Sequence, residues 1–306
     1  MNTKSRRFKA VDILLLLGAT LPLLGAIALK VLTTPPSEGI NITGAMIYFT
    51  IDTPIQPLLI TEAQVVSAAV ILTILFLCLY MTHGIAVVPN SKRQLVAEWL
   101  VEKCQGMVDT NMGEYFMGFA PFVAGIMALS ALSSLSSLLG LFPPTSDINI
   151  VAGWAILVFG LITYYKLKGG LWLYVKGFAE PVPFLLPMNI ISEAATPVSM
   201  SFRHYGNILS GSIISALLAA AFAGLSNLIL GWIPYVGEIP WLRIGIPAVL
   251  SLYFDIFSGG LQAFIFATLT MMYVAGGFPQ SEFEARKAKR EAKKKAKQEA
   301  KSAKAA

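Results

Sequence analysis

The sequence predicts an all-α polytopic membrane protein, and three observations lead to that class. Of the 306 residues, 56% are hydrophobic and 13% are charged, about half the charged fraction of a soluble domain. Apolar runs long enough to cross a membrane recur along the chain, and the basic residues fall in alternate loops. We predict about six membrane helices, the last two long and strongly tilted as a hairpin, plus an amphipathic helix on the membrane surface.

The first apolar run, residues 13–32, follows a basic start and is long enough to span a membrane. It also fits a secretory signal peptide, with Ala26-Ile27-Ala28 as the cleavage site. Residues 33–58 are rich in Thr, Pro and Gly and contain no Lys or Arg, as expected outside the cytoplasm. Residues 1–57 therefore form an N-terminal region with one extra helix and an extracytoplasmic segment.

The next runs form the middle of the chain. Residues 58–81 predict a membrane helix, and residues 94–108 alternate charged and apolar side chains, as in a helix on the membrane surface. The alternative for 94–108 is an ordinary helix of a soluble loop. Two further spans, 119–141 and 150–165, are joined by a turn that places Asp147 at a membrane boundary.

The last two apolar runs are longer than one crossing requires. About 40 residues of helix would extend ~60 Å, twice the ~30 Å hydrocarbon thickness. Gly and Pro do not clearly divide either run after Pro197. We therefore expect tilted, bent helices packed on each other, followed by a basic tail over 278–306.

The positive charges predict the orientation. With the N-terminus inside and six crossings, the inner segments carry almost all Lys and Arg residues, including ten of the 23 in the tail, and Arg243 is the exception. Both termini are then cytoplasmic. If the first helix is cleaved, the N-terminus is extracytoplasmic and the rest of the topology is unchanged.

The run from 184 to 225 contains one basic residue, Arg203, near its middle. A charge near the bilayer centre costs ~3 kcal/mol on insertion scales, so it must face protein, water or an opposite charge. Small residues that permit close approach of another helix surround it: Ser199, Ser201, Gly206, Ser210 and Gly211. Asn207 lies one turn from Arg203. The alternative is a static ion pair that only holds helices together.

Two carboxylates share these runs with Arg203. Glu193 lies ~15 Å along the helix from Arg203 and on a different face, so we do not expect them to pair. Asp255, Gly259 and Gln262 recur at i, i+4 and i+7, which predicts one polar stripe on the last helix. That stripe either packs on a neighbouring helix or lines a hydrated path.

Two segments of the sequence carry a family resemblance. Arg203-His204-Tyr205-Gly206-Asn207, with its lead-in from Pro187 to Ser199, resembles the R-L-F-G-N signature of the a subunit of F-type ATP synthases. The segment Leu261–Tyr273 resembles that family's last helix, and Ile60-Thr61-Glu62 is similar to the start of its first shared helix. The resemblance covers residues 58–277.

The resemblance implies a stator that conducts H⁺ or Na⁺ through two half-channels and turns a ring of c subunits. It implies that Arg203 separates the half-channels, that Asn207 and Gln262 flank it, and that Asp255 is the outer ionisable residue. Glu193 would lie on the inner side and Asp147 near the outer mouth. Where the family often has Glu or His, this chain has Ser212, so the outer path would depend on Asp255, water and the Ser212 hydroxyl.

The resemblance also implies a set of partners and a place in the cell. These are the c ring, b-type peripheral stalk subunits, the rest of the ATP synthase and the lipid bilayer, in a bacterial plasma membrane. No enzyme motif, metal-site motif or nucleic-acid site is present, so we expect a non-catalytic subunit without a cofactor.

The two histidines are expected to have minor roles. We expect His83 at the inner membrane interface, and we expect His204 at most to tune the site. The tail is either solvated or a surface for lipid or a stalk subunit, and the alternative function is an ion-coupled secondary transporter.

Overall fold

The computed structural model describes residues 3–34, 44–54, 56–89, 91–180, 182–232, 249–250, 252–281 and 283–284. The described residues contain six helices long and apolar enough to cross a membrane. The predicted class, an all-α polytopic membrane protein, is therefore confirmed. The basic tail after residue 284 and the connector with Pro234, Gly237 and Pro240 lie outside the described residues.

The helices and strands follow one another in a simple order. Helix α1 (Thr3–Thr33) precedes strands β1 (Ile47–Ile51) and β2 (Leu58–Thr61), and then come α2 (Glu62–Thr82), α3 (Lys92–Met112), α4 (Ala120–Leu135), α5 (Ile148–Lys168), α6 (Leu171–Phe178), α7 (Leu186–Leu230) and α8 (Gly259–Gly276). Short 3₁₀ turns cover Glu114–Phe119, Ser136–Leu139, Pro144–Ser146 and Pro183–Leu185, and a π-helical turn, Leu252–Ser258, leads into α8. The antiparallel hairpin of β1 and β2 was not predicted. β1 lies in the predicted extracytoplasmic segment, whereas β2 occupies residues 58–61, where a membrane helix was predicted to begin, and that helix begins at Glu62 instead.

Helix α7 is continuous over 45 residues, with Pro197 inside it. At 1.5 Å per residue it is about 67 Å long, more than twice the hydrocarbon thickness of ~30 Å. The prediction of one long, unbroken helix around Arg203 is confirmed, and a helix of this length fits a bilayer only when strongly tilted.

Two apolar clusters hold the helices together. The larger joins α3, α4, α5, α7 and α8, and its fully buried members include Val108, Val123, Ala155, Phe266 and Met271. The smaller joins α1 and α2 through Ala26, Val66, Ala69 and Val70, and Leu141 closes it. Because the larger cluster contacts one face of α7, the opposite face of that helix is left uncovered.

Gly169 and Gly170 separate α5 from α6. Gly170 has φ of 114°, which residues with a Cβ rarely adopt, so the chain turns there. Helix α3 is present over residues 92–112, and several of its apolar side chains, among them Trp99 and Leu100, are exposed. Its position on a membrane surface stays a prediction.

Candidate ion path along helix α7

Helix α7 has a buried face and an open face. Met200, His204, Ile208 and Gly211 are buried at helical spacing against the rest of the protein. Ser199, Arg203 and Ser210 are exposed, and a Cβ added to Gly206 between them would meet no atom within 4 Å. Three of the five small residues named in the sequence therefore lie around the cation on the open face, whereas Ser201 and Gly211 are buried on the other face.

Arg203 stands on the open face without a partner. Within the described ranges its guanidinium makes no hydrogen bond and no ion pair. A static ion pair that only holds the helices of this chain together is therefore not observed there. A desolvated cation at lipid depth requires a partner or water, so the open face is incomplete as it stands.

A cavity of about 590 Å³ lies beside the second half of α7, and we call it the outer cavity because Gly44 of the predicted extracytoplasmic segment lines it. Asp255 and Ser212, both predicted as site residues, line it together with Tyr205, Ser215 and Ser137. Asp255 is half-buried, and the Ser212 hydroxyl donates to the Leu209 carbonyl at 2.8 Å. The cavity therefore combines an ionisable carboxyl group with several hydroxyls, a lining that can hold water.

An inner cavity of about 520 Å³ lies at the other end of the helical bundle. Glu193 and Thr196 of α7 line it, with Lys166 at the end of α5 and Tyr273 of α8. The Lys166 ammonium donates to the two Glu193 carboxylate oxygens at 2.7 and 2.5 Å. Glu193 is thus paired with Lys166, in agreement with the expectation that it does not pair with Arg203.

The two cavities lie on opposite sides of Arg203 along α7. Thr196 is about 10 Å before Arg203 along the helix, and Ser212 is about 14 Å after it. Arg203 lines neither cavity. The arrangement has two separate polar spaces with an exposed cation between them.

Comparison with known proteins shows the family of this chain. The sequence profile of the family described as ATP synthase A chain matches residues 63–275. The chain belongs to the ATP synthase A chain family. Three similar relatives are named ATP synthase subunit a. The protein of Anoxybacillus flavithermus is 33% identical, over 70% of this chain and 90% of its own. Those of Bacillus pumilus and Bacillus subtilis are each 31% identical, over 71% of this chain and 89% of theirs.

In this member of the ATP synthase A chain family, Asn207 joins two helices. Its Nδ2 donates to the Ser258 carbonyl at 3.3 Å, and its Oδ1 accepts from the Ser258 hydroxyl at 2.8 Å. Asn207 thereby fixes α7 to the start of α8, one turn from Arg203. Sequence reasoning missed Ser258, since nothing local marks a serine that meets a residue 51 positions earlier.

The predicted stripe of Asp255, Gly259 and Gln262 does not form one lining. Asp255 lies in the π-helical turn, where the wider turn changes the i, i+4 spacing, and it alone of the three lines the outer cavity. Gly259 contacts Ser134 of α4, and Gln262 is only 5% exposed. The stripe is therefore part packing surface and part cavity wall.

Asp147 and His204 have structural contacts. The Asp147 carboxylate caps α5 by accepting a hydrogen bond from the backbone N–H of Asn149 at 2.9 Å. Asp147 does not line the outer cavity, but its neighbour Ser146 does. His204 is fully buried, with Nε2 3.2 Å from the Ser130 hydroxyl and its ring edge-on to Trp154 and Phe266. His204 thus faces away from the open face that carries Arg203.

Proposed function

We propose that this chain is the ion-translocating stator subunit in the membrane sector of an F-type ATP synthase. One observation carries the proposal: the exposed Arg203 lies between two cavities, each lined by a carboxylate, Asp255 in one and Glu193 in the other. The family membership and the relatives named ATP synthase subunit a support it, and they do not favour a secondary transporter. The subunit itself is non-catalytic, and ATP chemistry belongs to other subunits.

The open face of α7 is the surface that meets the ring of c subunits. Ser199, Gly206 and Ser210 leave room for a helix of the ring to approach. A carboxylate carried by that helix supplies the partner that Arg203 lacks within the described chain. Arginine suits this position because its guanidinium stays protonated in proteins.

The ion reaches the ring through the outer cavity. Asp255 and the Ser212 hydroxyl conduct it from the outer surface to a ring carboxylate, which becomes neutral and can turn into lipid. After nearly a full rotation the site meets the inner cavity and releases its ion beside Glu193. Arg203 attracts the ionised ring carboxylate and repels a free cation, so an ion cannot pass directly between the cavities.

The other predicted residues have supporting roles. Asn207 holds α7 and α8 in register beside Arg203 through Ser258, and Gln262 flanks the same region. Asp147 caps α5 at the outer mouth. The residues that conduct ions are therefore Asp255, Ser212 and Glu193, and the others position them.

The chain is a multi-pass membrane protein, and we place it in a bacterial plasma membrane with both termini in the cytoplasm. Residues 58–277 form the ATP synthase domain, 1–57 an added N-terminal region, and 278–306 a basic cytoplasmic tail. The partners are the c ring and b-type stalk subunits, so the protein should copurify with a ring of small hydrophobic subunits. Transport driven by a sodium gradient, with and without a protonophore, identifies the coupling ion.

Replacement of Asp255 by Asn is expected to slow ion transport without abolishing it. The carboxyl group is lost, but Ser212, Ser215 and a cavity of about 590 Å³ remain to hold water. The initial rate of ATP-driven proton uptake into inverted membrane vesicles measures the effect. Asp109→Asn, on the exposed side of α3, is the matched control, and a wild-type rate in Asp255→Asn would contradict the outer role.

Replacement of Glu193 by Gln is also expected to slow transport, because it leaves the Lys166 ammonium unpaired in the inner cavity. That charge opposes a cation leaving the ring. The double variant Lys166→Met with Glu193→Gln should recover part of the rate, since it removes the uncompensated charge. Glu102→Gln, exposed on α3, controls for charge loss elsewhere. Equal rates in the single and double variants would exclude this electrostatic explanation.

A further inference from the structure

Helix α1 contacts the rest of the chain at several points between Asp12 and Lys30. At one end the Asp12 carboxylate lies 2.8 Å from the Arg93 guanidinium and 2.9 Å from the His83 ring. In the middle, the Thr73 hydroxyl donates to the Ala19 carbonyl at 2.9 Å. These contacts tie α1 to α2 and to the segment that leads into α3.

The outer end of α1 carries a second ion pair, between Lys30 and Glu62. The Lys30 ammonium is 2.9 Å from a Glu62 carboxylate oxygen, and the Glu62 side chain is only 3% exposed. The same oxygen accepts from the Phe142 amide at 2.9 Å. Lys30 therefore neutralises a buried carboxylate that in turn holds the backbone at Phe142.

Two of these groups reach the outer cavity. Lys30 and Phe142 line it together with Asp255 and Ser212. Removal of α1 would leave the Glu62 carboxylate buried without its cation, an arrangement that proteins avoid. It would also remove the part of the wall that Lys30 supplies.

We propose that α1 is a permanent wall of the outer half-channel and that Lys30 is a positioning residue, which through Glu62 and Phe142 sets the shape of the cavity where Asp255 receives the ion. This inference rests on the proposed function. It predicts that residues 13–32 are retained as a helix and are not removed as a signal peptide.

The first test measures proton conduction in membranes that contain the whole ATP synthase. Lys30→Met should lower conduction several-fold, because Glu62 then stays buried and unpaired. Lys30→Arg should keep most of the wild-type rate, and Lys30→Met with Glu62→Gln should recover much of it. Equal losses in Lys30→Met and Lys30→Arg, or no loss in either, would overturn the proposal.

A second measurement separates a local effect from general damage. In a chain whose Cys78 and Cys104 are replaced by Ser, Ser215→Cys reports on the outer cavity and Ser192→Cys on the inner cavity. Lys30→Met should change the labelling rate of Cys at 215 by a membrane-impermeant maleimide and leave that of Cys at 192 unchanged. A change at both positions, or at neither, contradicts the positioning role.

A pair of glycines in α1 tests whether the helix is docked at all. A Cβ on Gly18 would lie 2.6 Å from the Phe76 ring of α2, whereas one on Gly25 would meet no atom within 4 Å. Gly18→Leu should therefore lower conduction and alter labelling at position 215, and Gly25→Leu should do neither. Absence of residues 9–28 from the purified subunit by mass spectrometry would refute the proposal directly.

The outcomes also distinguish this inference from the function on which it rests. If wild-type membranes conduct protons and lose conduction in Arg203→Ala, yet all α1 variants behave as wild type, only the inference fails. If Arg203→Ala conducts and synthesises ATP normally, the proposed function fails, whatever the α1 variants do.

Discussion

Replacement of Arg203 by Ala is expected to abolish ATP synthesis driven by an ion gradient, and ATP-driven pumping with it. The cavities on either side of position 203 would remain, but no fixed charge would hold the ionised ring carboxylate or block direct passage between them. ATP hydrolysis by the assembled complex should persist, since we propose that ATP chemistry belongs to other subunits. Proton-driven synthesis in membrane vesicles, measured beside hydrolysis, checks the result.

Destabilisation cannot account for this loss. Arg203 is exposed and makes no hydrogen bond or ion pair within the described residues. Removing a charge from a membrane helix also favours insertion by ~3 kcal/mol. Arg203→Lys should retain a fraction of coupling, because lysine is charged but can lose its proton when desolvated. Leu228→Ala, exposed on the same helix, is the control. Proton-driven synthesis in Arg203→Ala would refute the separator role.

The second large effect is expected at Gly259, where α8 meets α4. A Cβ there would lie 2.7 Å from the Ser134 Cβ, so Gly259→Leu forces the two helices apart. Overpacking of this kind costs about 1–3 kcal/mol or more. The preceding residue, Ser258, makes the hydrogen bonds to Asn207. Displacement of α8 should therefore also weaken its attachment to α7 beside Arg203. The thermal unfolding midpoint of the purified complex measures the effect.

Gly260 provides a matched control for this prediction. It is exposed, and a Cβ there would meet no atom within 4 Å. Gly260→Leu should therefore leave the unfolding midpoint close to wild type, whereas Gly259→Leu should lower it by several degrees. Equal midpoints in the two variants would show that the close approach of α4 and α8 does not limit stability.

The open face of α7 could be predicted from the sequence, but its partners could not. A lone arginine among small residues at helical spacing marks a face that another helix can approach, because both charge cost and side-chain size are local properties. Glu193 was correctly separated from Arg203 by the same helical geometry. Its actual partner, Lys166, lies 27 positions earlier on α5, and no local pattern in the sequence links the two residues.

The polar stripe shows where a periodic pattern fails. Asp255, Gly259 and Gln262 share a face only if the helix is a regular α-helix, and the π-helical turn over Leu252–Ser258 changes that spacing. As a result, Asp255 turns into the outer cavity while Gly259 packs on α4. The backbone geometry therefore decided which residue lines the outer cavity. A uniformly apolar run has no periodicity that would reveal this geometry in the sequence.

The sequence by itself determined the membrane class, the number and order of the spans, the family resemblance and the position of the cation. These follow from hydropathy, charge placement and short motifs, each a property of neighbouring residues. Only the tertiary structure decided which spans meet: α1 with α2 through Lys30 and Glu62, α5 with α7 through Lys166 and Glu193, and α7 with α8 through Asn207 and Ser258. Such pairings join residues far apart in the chain. In a lipid-like environment, hydrophobicity alone does not distinguish which apolar helix face contacts a neighbouring helix, and packing makes that choice.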